Sequence, residues 1–156
     1  MTVVRLQDLS KEFGDLVACS DINLEIQDGE FFVLLGPSGC GKTTTLRMTA
    51  GLEMPTRGSI YFDDDEVTTK KPAERDIAFV FQNYALYPHK TVAENIGFPL
   101  ALDDAGRSKA ERKERVREVA EQLQIEDQLE KRPKNLSGGQ QQRVALGRSI
   151  IREPRV

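Results

Sequence analysis

The chain lacks any long apolar stretch. Its longest uninterrupted runs, 31–35 and 77–81, are five residues each, far short of the ~20 needed to span a bilayer as a helix. Any role at a membrane must therefore go through a partner. The opening Met1-Thr2-Val3-Val4-Arg5 has no charged-then-apolar order of a signal peptide. There are only two cysteines, Cys19 and Cys40, at a spacing that suits neither a metal site nor a disulfide framework, so reduced thiols are expected. A net charge of −3 and a pI near 5.3 supply no general basic field, and nothing here advertises nucleic acid. No internal repeat or low-complexity linker interrupts the 156 residues, a length sufficient to bury a core.

What is present begins with the stretch from Leu35 to Thr44, which fits G-x-x-x-x-G-K-[ST] through Gly36, Gly41, Lys42 and Thr43. It follows an apolar run and precedes a helix-compatible one, the context that separates a phosphate loop from a glycine-rich turn. Glycines let backbone N–H groups point inward as an anion nest. The helix that follows adds free N–H groups and the positive end of its dipole. Lys42 supplies a mobile charge for the β- and γ-phosphates, and the Thr43 hydroxyl is a hard oxygen ligand for Mg²⁺. A nucleoside triphosphate is the expected ligand.

In chain order, Val3–Leu9 alternates like a half-buried strand whose faces are not cleanly sorted. Phe13-Gly14-Asp15 reads as a turn, Asp21–Ile26 as a strand with Ile22, Leu24 and Ile26 inward, and Asp28-Gly29 as a hairpin turn. The apolar run Phe31–Leu35 predicts a central strand covered on both faces, and Ile77–Phe81 a second one. The helix from Lys42 should stop at Gly51 in a left-handed cap. Pro55–Gly58 turns the chain into a short strand, Ser59–Phe62, and Asp63-Asp64-Asp65 reads as a solvated acidic turn in preference to a metal site. Capping boxes at Thr91–Glu94 and Ser108–Glu111 each open a helix. Val116, Val119, Ala120 and Leu123 form one apolar stripe beneath a charged face.

A second diagnostic stretch is Leu136-Ser137-Gly138-Gly139-Gln140. Ser137 can cap a helix whose third residue is Gln140, and the glycines leave backbone N–H groups unobstructed, as in another anion cradle. Gly36–Thr43, Gln82 after Ile77–Phe81, and Leu136–Gln140 together resemble the ATP-binding subunit of ABC transporters. The likeness runs over the whole chain and is nearest in shape to the carbohydrate-importer branch; Val80–His89 and Leu136–Arg148 support it. It implies an α/β fold, a RecA-like P-loop NTPase core with an N-terminal antiparallel β-subdomain and a helical insert. The implied division is a nucleotide-binding core over 1–83, a helical subdomain over 84–136, and a signature helix over 137–156 returning to the core.

The resemblance further implies roles. Phe13 would stack on adenine, with Ala18 beside the nucleotide. Gly36, Pro37, Ser38, Gly39, Cys40, Gly41, Lys42, Thr43 and Thr44 would wrap the triphosphate of ATP. Thr43 and Gln82 would touch Mg²⁺, and Gln82 would also orient the attacking water as a neutral amide. Lys42 and Gln82 are the catalytic candidates. Ser137, Gly138, Gly139 and Gln140 would meet the γ-phosphate held by a second ATPase subunit, the same chain or a close paralogue, in a head-to-tail pair. Tyr84–Lys90 would receive a short helix of the transmembrane permease subunits, placing the protein peripherally on the cytoplasmic face of the membrane, with a solute-binding protein engaged indirectly. His89, the only histidine, falls within that segment and is not the family's switch histidine.

The family's next strand carries an aspartate for Mg²⁺ and a glutamate that polarises water, and the sequence stops before it. The chain is thus expected to be the N-terminal part of a longer subunit, with weak or no turnover alone and with Phe31–Leu35 and Ile77–Phe81 poorly paired. The implied function is ATP-driven import of a solute, a sugar by branch. Alternatives are a soluble ABC-type ATPase without a transport role, or a nucleotide-binding module without catalysis. A small-molecule kinase would share the phosphate loop but have no use for Leu136–Gln140.

Overall fold

A computed structural model describes residues 2–102 and 106–156. They form two compact units, one of residues 2–77 with 155–156, the other of residues 78–154.

In the first unit, β1 (Val4–Phe13) and β2 (Leu16–Ile26) pair antiparallel, with Phe13 opposite Leu16 across the Gly14-Asp15 turn. Both strands are longer than their alternation suggested, because they run to the turn itself. Asp8 takes a left-handed φ of 49°, and the register shifts between Leu6 and Leu9. This bulge changes the parity of the strand. Val4, Leu6 and Leu9 consequently all point into the core, which explains the unsorted faces of the sequence. β3 (Arg57–Phe62) pairs with β1, and β4 (Asp65–Glu66) with β3, giving the sheet order β2-β1-β3-β4. The acidic turn is thus a hairpin: Phe62 lies opposite Asp65, and the Asp63 carboxylate accepts the Val3 N–H at 2.8 Å.

Helix α1 (Lys42–Thr49) buries Met48 in the same core as Leu9, Ile60, Phe62 and Val67. Each fully buried side chain of this size contributes about 1.5–3 kcal/mol. The helix ends as expected. Gly51 has φ 71°, its N–H donates to the Met48 carbonyl at 3.0 Å, and Leu52 N–H reaches the Arg47 carbonyl at 2.9 Å, the paired bonds of a Schellman cap.

The two covered strands expected at 31–35 and 77–81 do not form, while the expectation that these runs would be poorly paired holds. Phe31–Leu35 and Ile77–Phe81 form no strand, and Phe31 and Leu35 are 92% and 87% exposed. An all-apolar run is written for neighbours on both edges and both faces, and no strand pairs with either segment among the described residues. Asp28-Gly29 does turn, with Glu30 N–H on the Gln27 carbonyl at 3.1 Å, but it is no hairpin because the strand after it is missing.

The second unit packs α2 (Val92–Ala101), α3 (Lys109–Gln122) and α4 (Gly138–Ile150) about one core that includes Ile96, Leu100, Val116, Val119, Ala120, Val144 and Ile151. The predicted stripe on α3 is buried at Val116, Val119 and Ala120, with Leu123 half-buried. A Cβ on Gly147 would stand 3.1 Å from Leu123, 3.3 Å from Ile96 and 3.3 Å from Val119, so the three helices meet where that residue has no side chain. The first unit ends at Ile77, where the sequence put the core's edge at residue 83, and α4 shares the apolar cluster of α2 and α3.

Candidate functional site

The four α-helices among the described residues begin in two different ways. Thr91, Ser108 and Ser137 each accept a backbone N–H from the residue three positions on, and Glu94, Glu111 and Gln140 return the bond to the cap's own N–H. α1 has no side-chain cap at all; its N-cap is Gly41, at φ 91°. The first N–H groups of a helix have no intrahelical acceptor, so α1 presents its positive end open at Lys42, Thr43 and Thr44.

The preceding loop shapes that opening. A Cβ on Gly41 would lie 2.5 Å from the Ala18 carbonyl oxygen and 2.8 Å from Cys19 Sγ, so β2 runs against the start of α1 with room for glycine only. A Cβ on Gly36, at φ 153°, would lie 2.7 Å from Cys40 Sγ. Lys42 folds back over the loop: its Nζ donates to the carbonyls of Gly36 and Pro37, each at 2.7 Å, and to Cys40 Sγ at 3.5 Å. Ser38, Gly39, Cys40 and Thr43 are exposed. An open helix start, glycines that exclude side chains, and a lysine poised over the loop together fit a polyphosphate. The exposed Thr43 hydroxyl remains free to meet a cation.

The far end of α1 is tied down instead. Arg75, 2% exposed, donates to the carbonyls of Met48 (2.8 Å), Thr49 (2.9 Å), Thr68 (2.9 Å) and Lys70 (2.9 Å). Burial lowers its pKa from the usual arginine range. Arg75 thus holds the phosphate-loop helix by its C-terminal carbonyls, in favourable register with the helix dipole.

Phe13 ends β1 half-open to solvent, 47% exposed. Lys11 Nζ lies 4.7 Å from its ring centroid and is itself held by Glu53 (2.7 Å) and the Met54 carbonyl (2.7 Å). Ala18 is half-buried on β2. The first unit therefore sets Ala18 against Gly41 of the loop and carries Phe13 at the end of the same hairpin.

The second unit carries the remaining candidates. Gln82 is exposed at the start of a turn. Ser137 Oγ accepts the Gln140 N–H (3.3 Å) and Gln140 Oε1 accepts the Ser137 N–H (2.9 Å). Both side chains accept a capping bond, and Ser137, Gly138 and Gly139 are the exposed residues of the pentapeptide. Neither glycine has a positive φ, and a Cβ on either would meet nothing within 4 Å. Glycine at an open helical position costs about 1 kcal/mol relative to alanine. No neighbour among the described residues demands it.

Between Gln82 and α2 the backbone takes two consecutive left-handed residues, Tyr84 (φ 61°) and Ala85 (φ 46°), each disfavoured by about 1–2 kcal/mol for a residue with a side chain. Arg148, on α4, donates to the carbonyls of Ala85 (2.7 Å) and Tyr84 (2.9 Å) and sits 5.4 Å from the Tyr87 ring centroid. Fully buried Asn95 accepts the Tyr87 N–H (2.8 Å) and donates to the carbonyls of Tyr87 (3.2 Å), Lys90 (3.2 Å) and Thr91 (2.9 Å). His89 is exposed. Lys11, Arg75, Asn95 and Arg148 escaped the reading of the sequence. Only Arg148 lay within a diagnostic stretch, and nothing local marked its partners.

Residues 19–156 match the family model described as ABC transporter. The chain is 60% identical over its whole length to the xylose/arabinose import ATP-binding protein XacJ of Haloferax volcanii. It is 56% identical to the trehalose/maltose import ATP-binding protein MalK of Thermococcus litoralis, and 53% to the maltose/maltodextrin import ATP-binding protein MalK of Salmonella typhimurium. It spans 40%, 43% and 42% of these three relatives. Among solved structures, a dimer of the ATP-binding cassette MJ0796 bound to ADP and Pi aligns at a TM-score of 0.87 with 36% identity, over 97% of this chain and 70% of that one.

Proposed function

The chain belongs to the ABC transporter family, and from that premise we propose that it is the nucleotide-binding part of an import ATPase. The observation that carries the proposal is the open start of α1 beneath Lys42, while every other α-helix among the described residues is closed by its own side chains. Phe13 stacks on adenine, Ala18 lies beside it, and Gly36–Thr44 wrap the phosphates. Lys42 exchanges the carbonyls of Gly36 and Pro37 for phosphate oxygens, moving a charge from neutral acceptors to anionic ones. Bound Mg²⁺ would supply charge neutralisation at the β- and γ-phosphates. Thr43 and Gln82 are the residues that would hold it, and Gln82 orients the water.

The free glycines Gly138 and Gly139 support the second half of the proposal. Their N–H groups meet the γ-phosphate of a partner's ATP in a head-to-tail pair of this chain or a close paralogue, where a Cβ would keep the phosphate at a distance. The complete subunit hydrolyses ATP on the cytoplasmic face of the membrane. It drives import of a sugar through permease subunits that contact Tyr84–Lys90, with a solute-binding protein delivering the cargo.

The test is ATP binding by the full-length protein. Lys42→Ala should weaken it roughly 10- to 100-fold, the equivalent of about 1.5–3 kcal/mol for a charge-assisted bond. Unchanged affinity would remove the lysine, and with it the phosphate loop, from the site.

A further inference from the structure

Arg148 is placed in a way that its own helix does not explain. A cation in the last turn of a helix ordinarily serves that helix's terminal carbonyls. Arg148 instead sends both arms to the carbonyls of Tyr84 and Ala85, 64 and 63 residues away in sequence, and has no carboxylate partner among the described residues. The two carbonyls it joins belong to the consecutive left-handed residues, a conformation that costs a residue with a side chain free energy and needs support from its surroundings. Its guanidinium also lies against Tyr87, two residues further along. Asn95, from α2, also grips the backbone of Tyr87, Lys90 and Thr91. Segment 84–90 is therefore held from two helices, one of which starts at Ser137–Gln140.

We propose that Arg148 is a positioning residue that ties α4 to Tyr84–Lys90, so that displacement of α4 at its glycine end is delivered to the segment facing the membrane partner. The inference rests on the roles given above to Ser137–Gln140 and Tyr84–Lys90. A helix is a stiff rod with a rise of about 1.5 Å per residue, and Gly147 leaves α4 in close contact with its neighbours. The end of the rod is joined to the segment by two bonds of a rigid fork, which fixes direction as well as distance. A lysine, a single flexible point charge, would hold one carbonyl at a time.

The experiment uses the full-length ATPase reconstituted with its membrane subunits in vesicles. Arg148→Met keeps the aliphatic stem and removes the fork. ATP affinity should stay within about twofold of wild type, while solute moved per ATP hydrolysed falls about fivefold or more, the scale of an ordinary coupling energy. Adding Ala85→Gly should restore part of the loss, since glycine takes the left-handed conformation without a clamp. An unchanged transport-to-hydrolysis ratio, or a loss of ATP affinity by the same factor, overturns the proposal. If Arg148→Met does not assemble, the ratio is read in Arg148→Lys: a fall of about twofold or more supports the tie, and no fall refutes it. Cross-linking from His89→Cys to the membrane subunit, with Arg148 intact, separates the two levels. Cross-linking alongside an unchanged ratio defeats Arg148 alone; no cross-linking defeats the assignment of Tyr84–Lys90 and the tie with it.

Discussion

Helices α1 and α4 both begin at glycine-rich sequence, yet they are secured from opposite ends. α1 is open at Gly41 and bound at its C-terminus by a Schellman turn and by Arg75, which donates to Met48 and Thr49. α4 is closed at its start by the reciprocal bonds of Ser137 and Gln140, and the cation of its last turn leaves the helix for another segment. The difference teaches how to recognise an amide cluster meant for an anion. At α1 the glycines are required by the chain's own backbone and the N–H groups are left unsatisfied. At α4 the start is already closed, and Gly138 and Gly139 leave open space that no neighbour among the described residues fills.

The largest expected effect falls on the anchored end of α1. Arg75→Met should destabilise the first unit by about 3 kcal/mol, because it leaves buried carbonyls without donors; denaturant unfolding measures it, and a loss below about 1 kcal/mol would show that the helix is held by packing alone. The glycines come next and should respond with opposite sign. Gly41→Ala forces a Cβ to within 2.5 Å of the Ala18 oxygen at a φ of 91° and should destabilise by about 2 kcal/mol. Gly139→Ala, with open space around it, should raise thermal stability by up to about 1 kcal/mol. Equal destabilisation by both would erase the contrast.

The smallest effect is in acid. The backbone N–H of Thr91 holds the Glu94 carboxyl below the usual carboxylate range, and that of Ser108 does the same for Glu111. A carboxylate whose pKa is lower folded than unfolded stabilises above the unfolded value, and the gain is lost as pH falls through the folded one. α2 and α3 should therefore fray at their starts in acid while α4, closed by the amide of Gln140, does not. Residue-resolved amide exchange against pH would show it, and fraying of all three together would contradict it.

Legibility followed sequence distance. The helix starts at Thr91–Glu94, Ser108–Glu111 and Ser137–Gln140 and the Gly51 stop each lie within a few consecutive residues, and each formed as expected. Arg75 reaches carbonyls 26 and 27 residues back and Arg148 reaches across more than sixty, so no local pattern could mark them. The bulge at Asp8 hid the inner face of β1 because one extra residue reverses which side the chain presents. Phe31–Leu35 and Ile77–Phe81 failed for the converse reason. Their composition described a strand in a covered sheet, and a strand exists only where another backbone accepts its hydrogen bonds.

The most direct measurement is the mass of the full-length ATPase in solution with Mg²⁺ and ATP under conditions that block hydrolysis, compared for wild type and Ser137→Arg. ATP should drive wild type into a dimer, and Ser137→Arg should bind ATP with wild-type affinity yet stay monomeric. A Ser137→Arg protein that still pairs on ATP would contradict the claim that the open start of one chain's α1 and the glycine end of another's α4 grip one triphosphate between them.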